Sequence, residues 1–260
     1  MVGKRTPFPA VFIKEENMKK LYDKSKLTFS IIWIVAYCVL MSVGDALSEK
    51  IGIAKAVTLP VALVLSAVLL AFIKSNRLTE EYGLCRSEVP AKNMLFYIPL
   101  VIMMGANLIY GVKLNLSAAE TALYILTMLC VGFLEEVIFR GLLFKAMAEN
   151  GIKSAITVSS ITFGMGHIIN LFNGSGTELL PNIMQIIYAA VAGFMFVMIF
   201  YKTKSLIPCI VAHGIFNALS VFADEGALTV KQRVISCVFL LIISGGYGAY
   251  IALKVKNKKQ

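Results

Sequence analysis

Val-Gly-Phe-Leu-Glu-Glu-Val-Ile-Phe-Arg-Gly-Leu-Leu, residues 131–143, sets two adjacent carboxylates, Glu135 and Glu136, and a guanidinium, Arg140, inside an apolar run. An Arg, Lys or Asp at the centre of a spanning helix costs about 2.5–3.5 kcal/mol on insertion scales, and such groups face a bundle interior or a water-filled cavity rather than lipid. Two more apolar runs carry comparable groups. ITFGMGHIIN (161–170) holds His167 and IVAHGIFNAL (210–219) holds His213, and these are the chain's two histidines. Three neighbouring runs that each carry such a group predict one shared polar site.

The rest of the composition supplies the setting. Hydrophobic residues make up 58% of the chain and charged residues 15%, with a mean hydropathy of +0.78. Soluble domains run near 45–50% apolar and about 25% charged. Here the surplus lies in long runs rather than in an amphipathic stripe, so lipid is the expected solvent for most of the surface. A spanning helix needs about 20 mostly apolar residues. Eight segments meet or approach this, near 27–47, 52–73, 94–112, 119–148, 153–172, 178–201, 205–222 and 233–253. The expected architecture is an all-α polytopic bundle of about eight spans, with a polar catalytic cavity open to the cytoplasm. Its parts are a basic N-terminal segment (1–26), one transmembrane domain (27–253, motif core 119–222) and a basic tail (254–260).

Basic residues orient the bundle. With the N-terminus inside, only Lys50, Lys55, Lys113, Lys231 and Arg233 of the 25 Lys and Arg fall on the outer side. The positive-inside rule then puts both termini in the cytoplasm. The same asymmetry accounts for the net charge of +10. Because the cations flank spans instead of forming one face, it argues against a nucleic-acid partner. The compact length and short Lys-rich loops fit a bacterial plasma-membrane protein. The first apolar run is long enough to span and lacks a clear small-residue cleavage site, so it does not read as a signal peptide. The five cysteines have no knuckle spacing and read as reduced packing residues.

Helical geometry divides the polar groups. Glu136 and Arg140 are i and i+4, share a face and can pair. Glu135 points elsewhere and lacks a same-helix cation, the setting that suits a general base. His213 and Asn217 are again i and i+4, and could present two neutral donors to one oxyanion. His167 stands alone, one turn after Phe163. Counted from the cytoplasmic ends of their spans, Glu135 and His167 lie about 20 Å deep and His213 about 12 Å.

Glu-Glu-Val-Ile-Phe-Arg (135–140), Phe-Gly-Met-Gly-His (163–167) and His-Gly-Ile-Phe-Asn (213–217) resemble, in order, the EExxxR, FxxxH and HxxxN motifs of one family. That family is the CAAX protease and bacteriocin-processing (Abi) group of intramembrane endopeptidases. The resemblance covers about residues 119–222, and it implies a glutamate-dependent intramembrane protease acting on membrane-associated peptides or lipidated proteins. By position, Glu135 and His167 would bind and activate water, and His213 and Asn217 would form the oxyanion site. Glu136 and Arg140 would organise the constellation, with Phe163 packed against it. The family is also labelled metalloprotease. Glu135, His167 and His213 could supply three ligands to Zn2+, while metal-free water activation is the first expectation.

Other intramembrane protease classes fit worse. The two histidines are too far apart for HExxH, the Asp residues lie at or beyond span ends, and no GxSx serine occurs. A catalytically silent scaffold or immunity protein of the same fold would commonly lose a motif residue, and none is lost. A proton-coupled transporter should show Gly- or Pro-broken half-helices in matching halves.

Overall fold

The computed structural model describes residues 15–172, 178–224 and 228–255. The first fourteen residues of the basic N-terminal segment and the last five of the tail lie outside the described residues. The long elements among the described residues are all helices: α1 (Glu15–Lys24), α2 (Lys26–Ile51), α3 (Thr58–Ser75), α4 (Ile98–Met104), α5 (Ala118–Ala148), α6 (Ile152–Gly166), α7 (Leu179–Thr203), α8 (Ile207–Leu219) and α9 (Val230–Lys254). Caps written in the sequence set several boundaries. Ser25 caps α2 by accepting from the Thr28 amide, and Gly52 ends it at a φ of 77°. Capping boxes, Ser117 with Glu120 and Thr229 with Gln232, start α5 and α9.

All eight apolar segments become helical, but six rather than eight are long and apolar enough to cross a membrane among the described residues. The fifth, α6, tightens at His167 into a 3-10 turn ending at Leu171, and the seventh covers only Ile207–Phe222. The third is kinked. Ala91–Tyr97 is a 3-10 turn in which Leu95, Phe96 and Tyr97 take positive φ, directly before Pro99 in the first turn of α4. A proline ring clashes with the carbonyl four residues back, so a regular helix cannot run through 95–99. The Tyr247 hydroxyl of α9 secures the kink by donating to the Met94 carbonyl at 2.6 Å.

Successive long helices alternate in direction, as cross-contacts show. Lys26 at the start of α2 pairs with Glu149 just beyond α5, and Tyr124 early in α5 meets Ser220 after α8. One end of the bundle therefore holds α1, the end of α9 and the 76–90 and 203–206 connections. The opposite end holds the α2–α3 turn and the starts of α5, α7 and α9.

The first of these ends is closed. Residues 78–89 fold over the α7–α8 turn, where the Leu206 amide donates to Gly83 O, the Glu88 amide to Thr203 O, and Ser205 Oγ to Cys85 O. Gly83, at a φ of 67°, is pressed so close that a Cβ would sit 2.5 Å from the Phe200 ring. Tyr82 is buried and donates to the Tyr22 hydroxyl of α1, and this burial raises its phenol pKa. The floor also resolves the depth mismatch of His213. The turn ahead of α8 is buried, with Ser205 and Leu206 at 0% exposure, so α8 starts well inside the molecule rather than at a membrane surface.

Candidate active site

A change in helix type positions the glutamates. α5 is regular to Glu135, becomes a π-helix over Glu136–Phe144 and returns to α over Lys145–Ala148. Short π segments inside α-helices occur frequently at functional sites. Here Ser159 of α6 donates to the Phe139 carbonyl at 2.8 Å, anchoring the altered ladder from outside. The segment is buried along its whole length.

Two glycines bring α5 against α8. A Cβ on Gly132 would lie 2.6 Å from both Cα and N of Gly214, so only hydrogen fits at that crossing. Gly132 is one turn before Glu135 and Gly214 follows His213, so the close approach presses the third motif-bearing helix onto the first.

The result is a continuous polar chain. Arg140 Nη1 donates to Glu136 Oε1 at 2.9 Å, and both residues are fully buried. His213 Nδ1 meets the same Oε1 at 2.8 Å. On the other side of the imidazole, Nε2 lies 3.4 Å from Glu135 Oε2, within ion-pair range but outside hydrogen-bonding geometry. His213 thus bridges the two adjacent carboxylates, whereas the sequence pairs it with Asn217 alone. Phe163 is the hub beneath this chain. The Arg140 guanidinium sits 3.9 Å above its ring centre, and His167 and His213 approach it edge-on at 5.4 and 5.6 Å. Phe196 stacks on the far face of His213 at 5.7 Å. A desolvated cation–π contact of this kind contributes about 2 kcal/mol or more.

Glu135, Phe163, His167 and Asn217 line one cavity of about 500 Å3. A smaller cavity of about 40 Å3 reaches His213, and His167 and Asn217 line both. At roughly 10–15 Å3 per water, the small cavity has room for two or three waters. Asn182 of α7 fixes the turn that carries His167 by donating to its carbonyl at 2.8 Å.

The mouth of the large cavity corrects an expectation. Asp45, Lys55, Asn107, Tyr110, Tyr124, Ser220 and Arg233 line it, all at the end opposite the folded 78–89 segment. The cavity opens away from Glu15 and Val255, the outer bounds of the described residues, because 78–89 plugs the other end, so an opening on the side that carries those two residues is not what this fold builds.

Glu135 Oε1 accepts from the Tyr37 hydroxyl at 2.6 Å and His213 Nδ1 meets Glu136, which leaves Glu135 Oε2 and His213 Nε2 as the atoms that could face a ligand. Among the described residues, no three His, Cys, Asp or Glu side chains gather as ligands would.

Comparison with known proteins joins this geometry to a family. Residues 117–219, from the α5 cap to the end of α8, match the type II CAAX prenyl endopeptidase Rce1-like family. Over that segment the chain is similar to the Rce1-like family. No curated protein and no solved structure matches it. The match runs through all three motifs and excludes α1–α4 and α9. Tyr37 lies in the excluded part, yet its hydroxyl reaches Glu135, and reading the motifs passes over it. The available signal was a tyrosine within an otherwise apolar span, since a buried phenol needs a partner.

Proposed function

We propose that the chain is an intramembrane endopeptidase that hydrolyses peptide bonds of membrane-associated or lipidated peptides, with Glu135 as general base. One observation carries this reading. Glu135 lines the large cavity with one oxygen held by Tyr37, while the other, Oε2, is buried without a hydrogen-bond partner among the described residues. A buried carboxylate oxygen with no hydrogen bond, beside a cavity, is where a nucleophilic water would surrender its proton.

The steps follow from the same contacts. Glu135 and His167 hold the water, and Glu135 takes a proton as the oxygen attacks the scissile carbonyl. The oxyanion that forms is received by His213 and Asn217. Nδ1 of His213 meets Glu136 Oε1, so the ring is held with Nε2 as the nitrogen left for the oxyanion. Glu136 and Arg140 hold that ring in register. Glu135 then returns its proton to the leaving amine as the C–N bond breaks.

The test is cleavage of a membrane-tethered peptide by wild type and by Glu135→Ala and His167→Ala. Loss of general acid–base catalysis removes about 10²–10⁴ of the rate. Both variants should lose turnover while keeping insertion and melting temperature. Normal cleavage by either one overturns the assignment.

A further inference from the structure

We infer that substrate reaches this site from the non-cytoplasmic face of the membrane, as a peptide presented at the end of the bundle opposite the 78–89 seal. The inference rests on the endopeptidase reading only in calling the occupant a substrate. The direction of access stands on three separate observations.

The first is the shape of the void. The large cavity runs from Glu135, Phe163 and His167 up to the α2–α3 turn, where Asp45 and Lys55 form an ion pair at 2.7 Å. The second is the opposite end, where backbone hydrogen bonds between 83–88 and 203–206 seal the bundle below the π segment. Tyr82 of that seal packs against Gly141, within 3.6 Å of the position a Cβ would take. A peptide coming from that end would have to unfold the seal. The third is charge. Among the described residues, Lys50, Lys55, Lys113, Lys231 and Arg233 are the Lys and Arg on the open side, and all of the other 14 except the buried Arg140 flank the sealed end. The positive-inside rule assigns the richly basic end to the cytoplasm. The open mouth then faces outward.

The lining defines what enters. Around the mouth stand Asn107, Tyr124 and Ser220, amide and hydroxyl groups suited to a polypeptide backbone. Deeper walls carry Met41, Met128 and Met184, flexible thioethers that accommodate apolar groups of irregular shape. The occupant is therefore a peptide with an apolar flank, delivered after its chain has crossed the membrane. A lipidated tail made and held in the cytoplasm would meet the sealed end.

The experiment needs no turnover. The full chain is placed in right-side-out and in inverted membrane vesicles and treated with a charged, membrane-impermeant maleimide, and modified cysteines are mapped by mass spectrometry. Cys38 lines the cavity natively, and Ser42→Cys adds a thiol closer to its mouth. Ser75→Cys, exposed at the end of α3, marks the sealed end. The expected result is modification of Cys38 and Ser42→Cys in right-side-out vesicles alone, and of Ser75→Cys in inverted ones alone. Modification of Ser42→Cys from the outside with a silent Cys38 also supports the inference, since it places the mouth. Modification of the cavity thiols only from the inverted side overturns it, as does no modification of either from either side. Repeating the labelling on Glu135→Ala separates the two readings, because access should persist in a variant that has lost hydrolysis.

Discussion

The sealed end of this bundle and its interior treat polar groups in opposite ways. At the basic end, Lys26 meets Glu81 and Glu149, Tyr82 meets Tyr22, and backbone groups of 83–88 meet those of 203–206. Each partner satisfies another and the surface closes. In the interior, just inside that seal, Glu135 Oε2, Glu136 Oε2 and two nitrogens of Arg140 are buried without hydrogen-bond partners among the described residues. Such groups each carry a desolvation cost of about 1–3 kcal/mol, more when charged. A fold that closes its end with paired groups and leaves its interior site incomplete has concentrated that cost where a reaction can use it.

The largest effect in free energy should come from breaking the buried pair. Arg140→Ala breaks a buried ion pair and leaves Glu136 with only its contact to His213 among the described residues, which costs about 3–5 kcal/mol, and it removes the guanidinium from the Phe163 ring. Thermal unfolding should show a steep loss of melting temperature together with loss of cleavage. Arg140→Met combined with Glu136→Gln removes both charges and should recover much of the stability but none of the turnover. Recovery of activity in that double variant would show that the His213 anchor is dispensable.

Two glycines sharpen the contrast at intermediate cost. Gly83→Ala at the sealed end forces a methyl into the Phe200 ring at a positive φ, and Gly132→Ala forces one into the Gly214 backbone. Overpacking costs about 1–3 kcal/mol in either place. The outcomes differ in kind. Gly83→Ala should lower the melting temperature and preserve kcat per folded molecule. Gly132→Ala should lower both, because it wedges Glu135 away from His213.

These pairs also mark what the sequence could disclose. The apolar runs, the three motifs and the Glu136–Arg140 pairing are local, written at helical spacing in neighbouring residues, and they were legible. The bridging of both carboxylates by His213 was not, because it depends on the Gly132–Gly214 crossing between helices far apart in the chain. The π segment escaped because its register is held from another helix by Ser159. The 78–89 seal escaped because a short polar stretch shows no period, and without the seal the direction of the cavity could not be read. The short α6 and α8 read as full spans for the same reason, since their ends are set by what packs against them.

Tyr37 tests whether the site extends beyond the family-matched segment. Tyr37→Phe keeps the ring and deletes one hydrogen bond to a carboxylate, worth about 1.5–3 kcal/mol. If that bond fixes the Glu135 rotamer, kcat should fall by roughly tenfold or more with KM unchanged, and the melting temperature should move little. A stability loss with intact kcat would make Tyr37 a packing residue only.

The smallest effect belongs at the mouth. Lys55 and Asp45 are partly exposed, at 19% and 28% of their side-chain surfaces, and exposed ion pairs contribute about 0.2–1 kcal/mol. Lys55→Ala should therefore leave folding almost untouched. Asp45 would keep its hydrogen bond from Thr58, at 2.6 Å, but would lose its cation, making the entrance more negative. For a peptide that passes this rim before reaching Glu135, the change acts on encounter and not on the chemical step. KM for an acidic peptide should rise a few-fold, KM for a basic one should fall, and kcat should be the same for both. Equal KM values for the two peptides would mean that substrate does not pass between α2 and α3 on its way to the glutamate.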